Sequence, residues 1–507
     1  MFRIDPKIAV QEYVSTGHNE QKKQVRLSKK ALEVASKPVE KNISTTVIIG
    51  MVQLLETTLL ALLGFAIYRA YVDVPDNGLY GPIIIGASLA AYVIFNMAHT
   101  HSIGIYRTRV HQSARLLAAW SVVFLLISLS VFLLKISDQI SRVWLVSWYF
   151  SGAAILILFR IGLQSVIKYW TEKGRLVRRT AIVGGGRDAE QLIKAIQENN
   201  SGDIELVGLF DDRVDKRSPS EVASCPKLGN VDELIEFARK YPLDLVIVSM
   251  PLSAEERVLY MLKRLWVLPI DIRLSAHMSK LRLTKSAYSY VGGVAMFDMA
   301  DRPISDWNLV FKWVFDKSVA ISALILLSPL MIITALAIKM ESKGPVLFKQ
   351  KRHGFNNELI EIYKFRSMYV EQNDADASKL VSKNDPRVTK VGRFIRKTSI
   401  DELPQLFNVL KGELSIVGPR PHALKAKAAN KLYHEAVGGY FARHRVKPGI
   451  TGLAQISGWR GETDTLDKIE QRVNHDLYYI ENWTPLMDIY IVFMTPFSLF
   501  SKSENAF

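Results

Sequence analysis

Four long apolar segments in the first third of the chain restrict the fold more than any other feature of the sequence. They occupy residues 43–70, 79–100, 114–135 and 143–167. Each segment is long enough to cross a hydrocarbon core of about 30 Å as a helix. Buried helices of a large soluble protein are the alternative, but four such segments in series with aromatic flanks, among them Trp144 and Trp148, favour a membrane bundle. The sequence therefore predicts a four-span transmembrane helical bundle over residues 43–170.

The distribution of positive charge predicts which ends of these segments face the cytoplasm. Residues 1–42 form a basic tail without a secretory signal, and basic side chains recur between the second and third segments and after the fourth. Cationic loops stay on the cytoplasmic side of a membrane, so both ends of the bundle are expected there. Within the spans, Glu56 and His99 are expected to face the bundle interior.

The net charge and the cysteine count narrow the classes of partner. A formal net charge of +16 predicts a preference for acidic partners such as anionic lipid or anionic substrates. Nucleic acid is not expected, because the sequence has no Cys/His finger and no aromatic and basic pattern typical of single-strand binding. Cys225 is the only cysteine, which excludes an intramolecular disulfide and fits a reducing compartment.

Residues 171–300 are predicted to form a Rossmann-like α/β domain, because short apolar strands alternate there with helical stretches as in a parallel sheet. Gly184 and Gly186 begin a G-x-G-x-x-A pattern after the first strand. Asp211 ends the second strand. This pattern can bind a dinucleotide, but the same glycines also serve a tight turn and close helix–strand packing, so both roles remain open.

Residues 301–507 contain a fifth apolar segment, Val319–Ile338, with basic side chains on both flanks. Its length fits an ordinary span, but both flanks prefer the cytoplasm. Proline lacks a helical hydrogen-bond donor and clashes with the preceding turn, so the helix is expected to break or bend at Ser328-Pro329. The sequence therefore predicts a re-entrant helix at about 310–340.

The last apolar stretch, residues 486–500, is bounded by prolines and contains Asp488. It is too short and too interrupted to span a bilayer. It is therefore expected to be an interfacial or a buried helix.

The densest group of charged residues surrounds Asp401 and Glu402. One interpretation is a capping box, because Ser399 and Glu402 have its spacing and Asp401 suits the positive end of a helix, where its pKa would be held low. Arg396 and Arg420 nearby favour instead an anion site that also holds a nucleophile or a metal ligand. Phosphate chemistry requires this combination, since Mg²⁺ prefers carboxylate oxygen and arginine neutralises phosphoryl charge.

Two further blocks carry similar residue types. Lys364–Met368 follows a strand-like run and adds the cations Lys364 and Arg366. Lys447–Leu453 contains two glycines, which permit the backbone to approach a ligand closely. Each block alone could also be a turn or a solvated edge.

Together these blocks resemble the catalytic domain of the bacterial monotopic phosphoglycosyl transferases over residues 308–507, and the preceding domains resemble the large form of that family. The matching blocks, in chain order, are Ser328-Pro329, Lys364–Met368, Arg396 with Ser399–Gln405, Ser415–Pro421 and Lys447–Leu453. Residues Gly458–Thr465 are similar to the same segment of undecaprenyl-phosphate glucose phosphotransferases, which favours glucose as the sugar. The resemblance assigns no role to residues 371–387.

The resemblance implies a mechanism for these residues. Asp401 would attack the β-phosphorus of a UDP-sugar and hold the sugar phosphate as an acyl phosphate, and Glu402 would orient or deprotonate the attacking polyprenyl phosphate. Mg²⁺, bound in part by Asp401, would offset charge on the diphosphate. The cations that would contact phosphoryl oxygens are Arg396, Arg420, Lys364 and Arg366.

The implied substrates are a UDP-sugar, with UDP-glucose favoured, and undecaprenyl phosphate. The implied location is the bacterial inner membrane, with membrane lipid as a partner and the catalytic domain on the cytoplasmic face. The sequence leaves the oligomeric state open, a homodimer included.

Two other functions compete with this one. A membrane-anchored nucleotide-sugar oxidoreductase or dehydratase would need a Tyr-x-x-x-Lys pair, and residues 180–300 contain none. A non-catalytic scaffold for polysaccharide assembly would use Asp401 and Glu402 only as a helix cap. That role would not explain why several cations surround them.

Overall fold

A computed structural model describes most of the chain. The described residues are 26–38, 40, 42–72, 78–101, 110–198, 203–213, 219–250, 254–275, 288–291, 294–369, 385–422, 427–428, 431–433, 440–459 and 465–501. The predictions made for residues 1–25, 371–384 and 460–464 lie outside these ranges.

The chain divides into two compact units. The helical unit comprises Pro38–Arg178 with Ser201–Asp203, and the α/β unit comprises Met1–Lys37, Arg179–Asn200 and Ile204–Phe507. The helices are α1 (Lys29–Ala35), α2 (Thr45–Tyr71), α3 (Tyr80–Met97), α4 (Val110–Leu133), α5 (Arg142–Glu172), α6 (Arg187–Glu198), α7 (Val231–Lys240), α8 (Glu255–Leu265), α9 (Asp306–Glu341), α10 (Lys390–Lys397), α11 (Gln405–Lys411), α12 (Leu453–Ile456), α13 (Leu466–Glu481) and α14 (Pro485–Ser501). The strands are β1 (Arg178–Val183), β2 (Ile204–Phe210), β3 (Glu221–Val222), β4 (Cys225–Gly229), β5 (Leu245–Val248), β6 (Asp271–Ser275), β7 (Tyr288–Val291), β8 (Val294–Ala300), β9 (Leu347–His353), β10 (Leu359–Phe365), β11 (Ser415–Val417), β12 (Lys427–Ala428), β13 (Lys431–Leu432) and β14 (Gly449–Thr451).

Five of the described helices, α2 to α5 and α9, are long and apolar enough to cross a membrane. Helices α2 to α5 correspond to the four predicted segments. Serine caps fix two of their starts, because Ser44 accepts a hydrogen bond from Val47 N and Ser141 accepts one from Trp144 N.

The core of the helical unit is built on tryptophans. Trp144 and Trp148 are fully buried, and their indole N–H groups donate to Gly64 O (3.0 Å) and Leu60 O (2.9 Å). A Cβ at Gly64 would lie 2.8 Å from the Trp148 ring, so the absence of a side chain there makes room for the indole. Both tryptophans lie in the first turns of α5, at the flank of the fourth segment, and a buried indole is tolerated there once its N–H has an acceptor.

Glu56 faces the interior of the helical unit, as expected, and it is held by an ion pair. The Arg160 Nε lies 2.6 Å from Glu56 Oε1, and His101 Nε2 lies 2.9 Å from Glu56 Oε2. The expectation for His99 is wrong, because His99 is exposed and has a positive φ in the turn that ends α3. An intramembrane carboxylate needs a close cation, and Arg160 satisfies that need through packing that the sequence does not reveal.

The Rossmann-like domain is an eight-stranded sheet with the order β3-β4-β2-β1-β5-β6-β8-β7. The predicted strands correspond to β1, β2, β5 and β6, and β5 is parallel to both β1 and β6. Strands β7 and β8 extend the sheet in antiparallel fashion, so the sheet is mixed rather than parallel throughout. All of Leu245–Val248 is fully buried, as in a strand covered on both faces.

Part of the basic tail belongs to this domain. Ser28 Oγ donates to Leu228 O (2.5 Å), and Ser28 N donates to Glu233 Oε2 (3.1 Å). Ala31 in α1 is fully buried. Residues 28–35 are therefore a docked helix rather than a free tail.

The backbone of the glycine loop, residues 184–186, is hydrogen-bonded to the side chains of Asp211 and Arg213 from the same domain. Asp211 Oδ2 accepts a hydrogen bond from Gly185 N (2.8 Å), and Arg213 Nη2 donates to Gly185 O (2.8 Å). Gly184 has a φ of +98°, and a Cβ there would lie 2.8 Å from Ser249 O. The glycines thus serve the turn and close packing, while Asp211 uses the N–H that a bound phosphate would need.

Helix α9 continues through Ser328-Pro329, so of the predicted break or bend the break is not present. Pro329 cannot donate to Ile325 O, its partner four residues back. The Ser328 hydroxyl donates to Ile325 O instead, at 2.9 Å. The serine therefore satisfies the carbonyl that the proline leaves unpaired, which allows the helix to continue.

Both ends of α9 attach to the same C-terminal region of the chain. Near its start, Lys312 Nζ contacts Val417 O (2.8 Å) and Asp488 Oδ2 (2.6 Å). Just after its end, Arg366 donates to Ser342 O and Lys343 O, both at 2.8 Å. These contacts fix the helix to β11 and α14 on one side and to the end of β10 on the other.

Helix α14 packs on the domain through one face, where Asp488 and Ile491 are fully buried. Its other face exposes apolar side chains at helical spacing. These are Leu486, Ile489, Tyr490, Phe493 and Phe497. This pattern fits the predicted interfacial helix.

Candidate active site

Glu402 lies at the centre of the site and is held by two cations. Lys364 Nζ lies 2.8 Å from Glu402 Oε1, while Arg420 Nη2 and Nη1 lie 2.5 Å and 3.2 Å from Oε1 and Oε2. Burial alone would raise the pKa of Glu402, but Arg420 and Lys364 outweigh burial and hold it well below its ordinary value. The antiparallel β9–β10 hairpin supplies Lys364, and the loop after β11 supplies Arg420.

Asp401 is buried next to this pair. Burial raises its pKa to about 6, and the charge of Glu402 adds to the increase. Lys364, Arg396 and Arg420 act in the opposite direction. The prediction of a lowered pKa for Asp401 is therefore wrong, because desolvation prevails over the surrounding cations. Near neutral pH the carboxylate remains mostly ionised and can act as a nucleophile.

The predicted capping box does not form. Ser399 has a φ of +59°, and no side-chain cap precedes the single 3-10 turn Ile400–Glu402. Helix α11 begins only at Gln405, and its N-cap residue is Pro404. The two carboxyl groups therefore do not cap a helix, which removes the structural explanation for their presence beside several cations.

The predicted cations have different positions. Lys364 and Arg420 contact Glu402, and Arg396 lies close enough to Asp401 to lower its pKa. Arg366 does not join this group, because its guanidinium donates to Ser342 and Lys343 after α9. A cation at the end of a helix pairs with free carbonyls, and the sequence alone does not show which carbonyls lie near.

The glycines of Lys447–Leu453 approach backbone rather than a ligand. A Cβ at Gly449 would lie 2.1 Å from Gly418 N, and one at Gly452 would lie 2.4 Å from Gly418 O. Strands β11 and β14 pair in parallel at this point. The block therefore packs against the strand that leads into Arg420, and the expectation of a close approach to a ligand is wrong for Gly449 and Gly452.

Sequence reasoning missed a second group of buried polar residues beyond Arg420. Arg443 contacts Asp476 Oδ2 through Nε (2.9 Å) and Nη2 (2.5 Å), and its Nη2 also donates to Arg420 O (2.8 Å). Arg352 Nη1 donates to Pro421 O (2.5 Å). These residues come from separate elements, so no local pattern joins them, although His422 directly follows a recognised block.

Among the described residues, no group of three His, Cys, Asp or Glu side chains could hold a metal ion alone. Glu402 is engaged by two cations, which leaves the Asp401 carboxylate as the acidic ligand at the site. Mg²⁺ commonly binds through one or two carboxylates together with substrate phosphates. The residues therefore fit a Mg²⁺ that is shared with a diphosphate rather than one held by protein ligands alone.

Comparison with known proteins gives consistent matches. Residues 307–502 match the family described as "Bacterial sugar transferase", and residues 98–276 match the family described as "CoA-binding domain". The chain is 37% identical over 385 residues to the UDP-glucose:undecaprenyl-phosphate glucose-1-phosphate transferase of Klebsiella pneumoniae, covering 76% of this chain and 81% of that protein. It is 38% identical over 363 residues to the protein of the same name in Escherichia coli strain K12, covering 72% and 76%. It is 41% identical over 353 residues to the undecaprenyl-phosphate glucose phosphotransferase of Komagataeibacter xylinus, covering 69% of this chain and 64% of that protein.

Proposed function

The chain belongs to the bacterial sugar transferase family, and we propose that it transfers glucose-1-phosphate from UDP-glucose to undecaprenyl phosphate with release of UMP. The observation that carries this proposal is the buried Asp401 beside Lys364, Arg396 and Arg420, within the residues that match the family. The names of the similar proteins support glucose as the transferred sugar. They also support undecaprenyl phosphate as the lipid acceptor. Such a transfer is the first membrane step of exopolysaccharide synthesis.

The proposed reaction has two steps. An Asp401 carboxylate oxygen forms a bond to the β-phosphorus of UDP-glucose, and the bond from that phosphorus to the bridging oxygen breaks, so that UMP leaves. A phosphate oxygen of the polyprenyl phosphate then attacks the same phosphorus and releases Asp401. Arg396 and Arg420 stabilise the charge on the phosphoryl oxygens.

Glu402 has the proposed role of orienting rather than accepting a proton. Its carboxylate is already shared by Lys364 and Arg420, which makes it a poor base. It fixes both cations where a phosphoryl group would lie. Mg²⁺ bound at Asp401 with the diphosphate would supply further charge neutralisation.

Four membrane crossings by α2 to α5 are supported by the docking of α1. Helix α1 precedes the four helices and packs on β4 and α7, which follow them. Segments that pack together lie on the same side of a membrane, so the number of crossings between them is even. Basic flanks support the proposal that this side is the cytoplasmic side of a bacterial inner membrane.

A re-entrant α9 is supported by its contacts. Residues near its start bind Val417 and Asp488, and residues just after its end bind Arg366. In the described part of 344–484, no helix is long and apolar enough to cross a membrane, so these partners share one side. These contacts support the proposal that both ends of α9 lie on the cytoplasmic face and that the helix enters the membrane and returns, with a bend at Ser328-Pro329.

The competing oxidoreductase is disfavoured by the closed glycine loop. Asp211 and Arg213 occupy both backbone groups of Gly185. The proposed role of the Rossmann-like domain is accordingly structural.

The test of the transferase is isotope exchange. The purified protein in nanodiscs made from lipids without polyprenyl phosphate should release UMP from UDP-glucose, and should exchange labelled UMP into UDP-glucose, before any polyprenyl phosphate is added. Asp401→Asn should abolish both, and mass spectrometry should find a phosphosugar adduct only on the unsubstituted protein. The matched control is Asp467→Asn, an exposed position in the first turn of α13, which should keep full exchange. Active enzyme with neither exchange nor adduct would mean that the lipid phosphate attacks directly.

A further inference from the structure

The loop that carries Arg420 is enclosed by guanidinium groups from other elements. Arg352 in β9 donates to Pro421 O, and Arg443 donates to Arg420 O. His422, the next residue of the loop, is buried among them. Asp476 neutralises Arg443, and among the described residues it is the only carboxylate that bonds to Arg352, Arg443 or His422. The loop is thus rich in hydrogen-bond donors.

The bonding of His422 fixes which ring nitrogen carries the proton. Arg443 Nη1 lies 2.7 Å from His422 Nδ1, and a guanidinium can only donate. Nδ1 is therefore an acceptor. Burial, followed by the charge of Arg443, holds the pKa of His422 well below its ordinary value, so the ring is neutral and its proton is on Nε2.

The resulting Nε2–H donor of His422 is buried and has no hydrogen-bond partner in the described structure. A buried donor is rarely left unpaired, because its hydration is lost without replacement. The Tyr433 ring lies next to the imidazole, with centroids 4.9 Å apart in a T-shaped arrangement. An aromatic face is at most a weak acceptor for such an N–H.

Arg352 also lacks a charged acceptor. Its hydrogen bonds go to Gln350 Oε1 (2.7 Å from Nη2) and Pro421 O, and no carboxylate of the described residues bonds to it. Burial, together with the nearby Arg420, lowers the pKa of Arg352 to about 10, as expected for a cation with too little compensating charge. Arg352 in β9 and His422 in the loop after β11 therefore both suit the same kind of partner, an anion with several acceptor oxygens.

We propose that Arg352 and the Nε2–H of His422 form a phosphate position adjoining the Glu402–Arg420 pair, which binds a phosphoryl oxygen of a substrate. The proposal rests on the proposed transferase function, which brings two phosphate esters to this region, the nucleotide and the polyprenyl phosphate. A phosphoryl oxygen accepts from both a guanidinium and a neutral imidazole N–H and supplies the missing negative charge. Arg420, bonded to Glu402 through its side chain and to Arg443 through its backbone, connects the two positions.

Two substitutions of His422 separate its two nitrogens. Asparagine places its amide where Nδ1 was, and so keeps an acceptor for Arg443, but has no donor in place of Nε2. Glutamine reaches the position of Nε2 and keeps a donor there. Arg352→Gln removes the guanidinium, and Lys351→Gln is its matched control, since Lys351 is the exposed neighbour on the opposite face of β9.

The test measures the dissociation constant of UMP and the KM for polyprenyl phosphate, with the full-length protein and each variant in nanodiscs. His422→Asn and Arg352→Gln should each weaken one of these by roughly 10- to 150-fold, the loss of one hydrogen bond to a charged group. His422→Gln and Lys351→Gln should remain close to the unsubstituted protein. A change in UMP binding identifies the nucleotide as the ligand, whereas a change confined to KM for the lipid identifies the polyprenyl phosphate.

Two results would overturn the proposal. The first is unchanged UMP binding and unchanged lipid KM in folded His422→Asn and Arg352→Gln proteins. The second is an equal loss in His422→Asn and His422→Gln with a lowered Tm, which would show that His422 only packs against Tyr433. If the unsubstituted protein releases no UMP from UDP-glucose in the same preparation, it is the transferase function that fails, and UMP binding still decides the phosphate position.

Discussion

At the scale of single residues, the site depends on how charge is balanced around two adjacent carboxyl groups. Glu402 is buried but ionised because Arg420 and Lys364 contact it directly. Among the described residues, no cation forms such a contact with Asp401, and burial therefore raises its pKa to about 6. The neighbouring residues thus differ in what they can do, since Asp401 keeps its oxygens available for chemistry while those of Glu402 are occupied.

The first residue-scale prediction concerns Glu402→Gln. This change leaves Lys364 and Arg420 without their shared counter-charge, and removing one partner of a buried pair costs about 3 kcal/mol. Thermal unfolding in detergent should show the loss. Glu361→Gln is the matched control, because it breaks the exposed pair with Lys349 and should cost less than about 1 kcal/mol. Equal effects of the two changes would contradict this account of Glu402.

The second residue-scale prediction concerns Cys225. Burial raises the pKa of its thiol to about 11, so only about one molecule in a thousand carries the reactive thiolate at pH 8. The native protein should therefore resist alkylation at pH 8 and should react fully in denaturant, as measured by mass spectrometry. Lys343→Cys places a second thiol at an exposed position and should react at once. Rapid labelling of native Cys225 would show that it is accessible.

The sequence was sufficient to identify the charged residues of the site that lie in short charged blocks. It was not sufficient to predict their pKa values. Asp401, Glu402, Lys364 and Arg420 were all predicted because each lies in a compact charged block. The pKa of Asp401 was predicted in the wrong direction, because its burial arises from elements distant in sequence. Arg352 and His422 were missed for the same reason.

At the scale of elements, the Ser328-Pro329 pair shows how a long apolar helix accommodates proline. The pattern predicted a break or a bend, and the helix continues without a break because the Ser328 hydroxyl bonds to Ile325 O. A carbonyl without a partner would be costly in lipid, where no water can replace the missing donor. Here the missing donor for Ile325 O is replaced by the hydroxyl of Ser328, the residue directly before Pro329.

This explanation predicts strong coupling between the two residues. Ser328→Ala should destabilise the protein by about 1–3 kcal/mol, because Ile325 O loses its donor. In a Pro329→Ala background the backbone N–H returns, and the same Ser328→Ala change should then cost little. Unfolding measurements on the four proteins of this double-mutant cycle give the coupling energy. A coupling energy near zero would mean that Ser328 does not compensate for Pro329.

The helices and strands were predicted correctly where both the spacing of the apolar residues and the length of the segment indicate the same type of element. Helices α2 to α5 and strands β1, β2, β5 and β6 lie at the predicted segments. Strands β7 and β8 were not predicted, because their antiparallel pairing extends the sheet beyond the alternating β-α pattern. The glycines at 418, 449 and 452 gave no local signal for their role, which is to let two backbones meet.

At the scale of the whole molecule, two long-range contacts constrain the path of the chain through a membrane. The docking of α1 supports the proposed even number of crossings between α1 and β1. The attachment of both ends of α9 to the same C-terminal region supports the proposal that this helix returns to the side from which it entered. The charge pattern gives the same orientation from an independent physical cause, the preference of cationic flanks for the cytoplasm.

The final prediction tests this path by cysteine labelling of intact cells with a membrane-impermeant reagent. Asn308→Cys and Lys343→Cys are exposed positions at the two ends of α9, and both should stay unlabelled until the cells are opened. Asp138→Cys lies in the turn between α4 and α5 and should label from outside, which makes it the positive control. The buried Cys225 should give no background in the native protein. Labelling of either α9 position in intact cells would mean that α9 crosses the membrane, and the even number of crossings by α2 to α5 would be tested separately by Asp138.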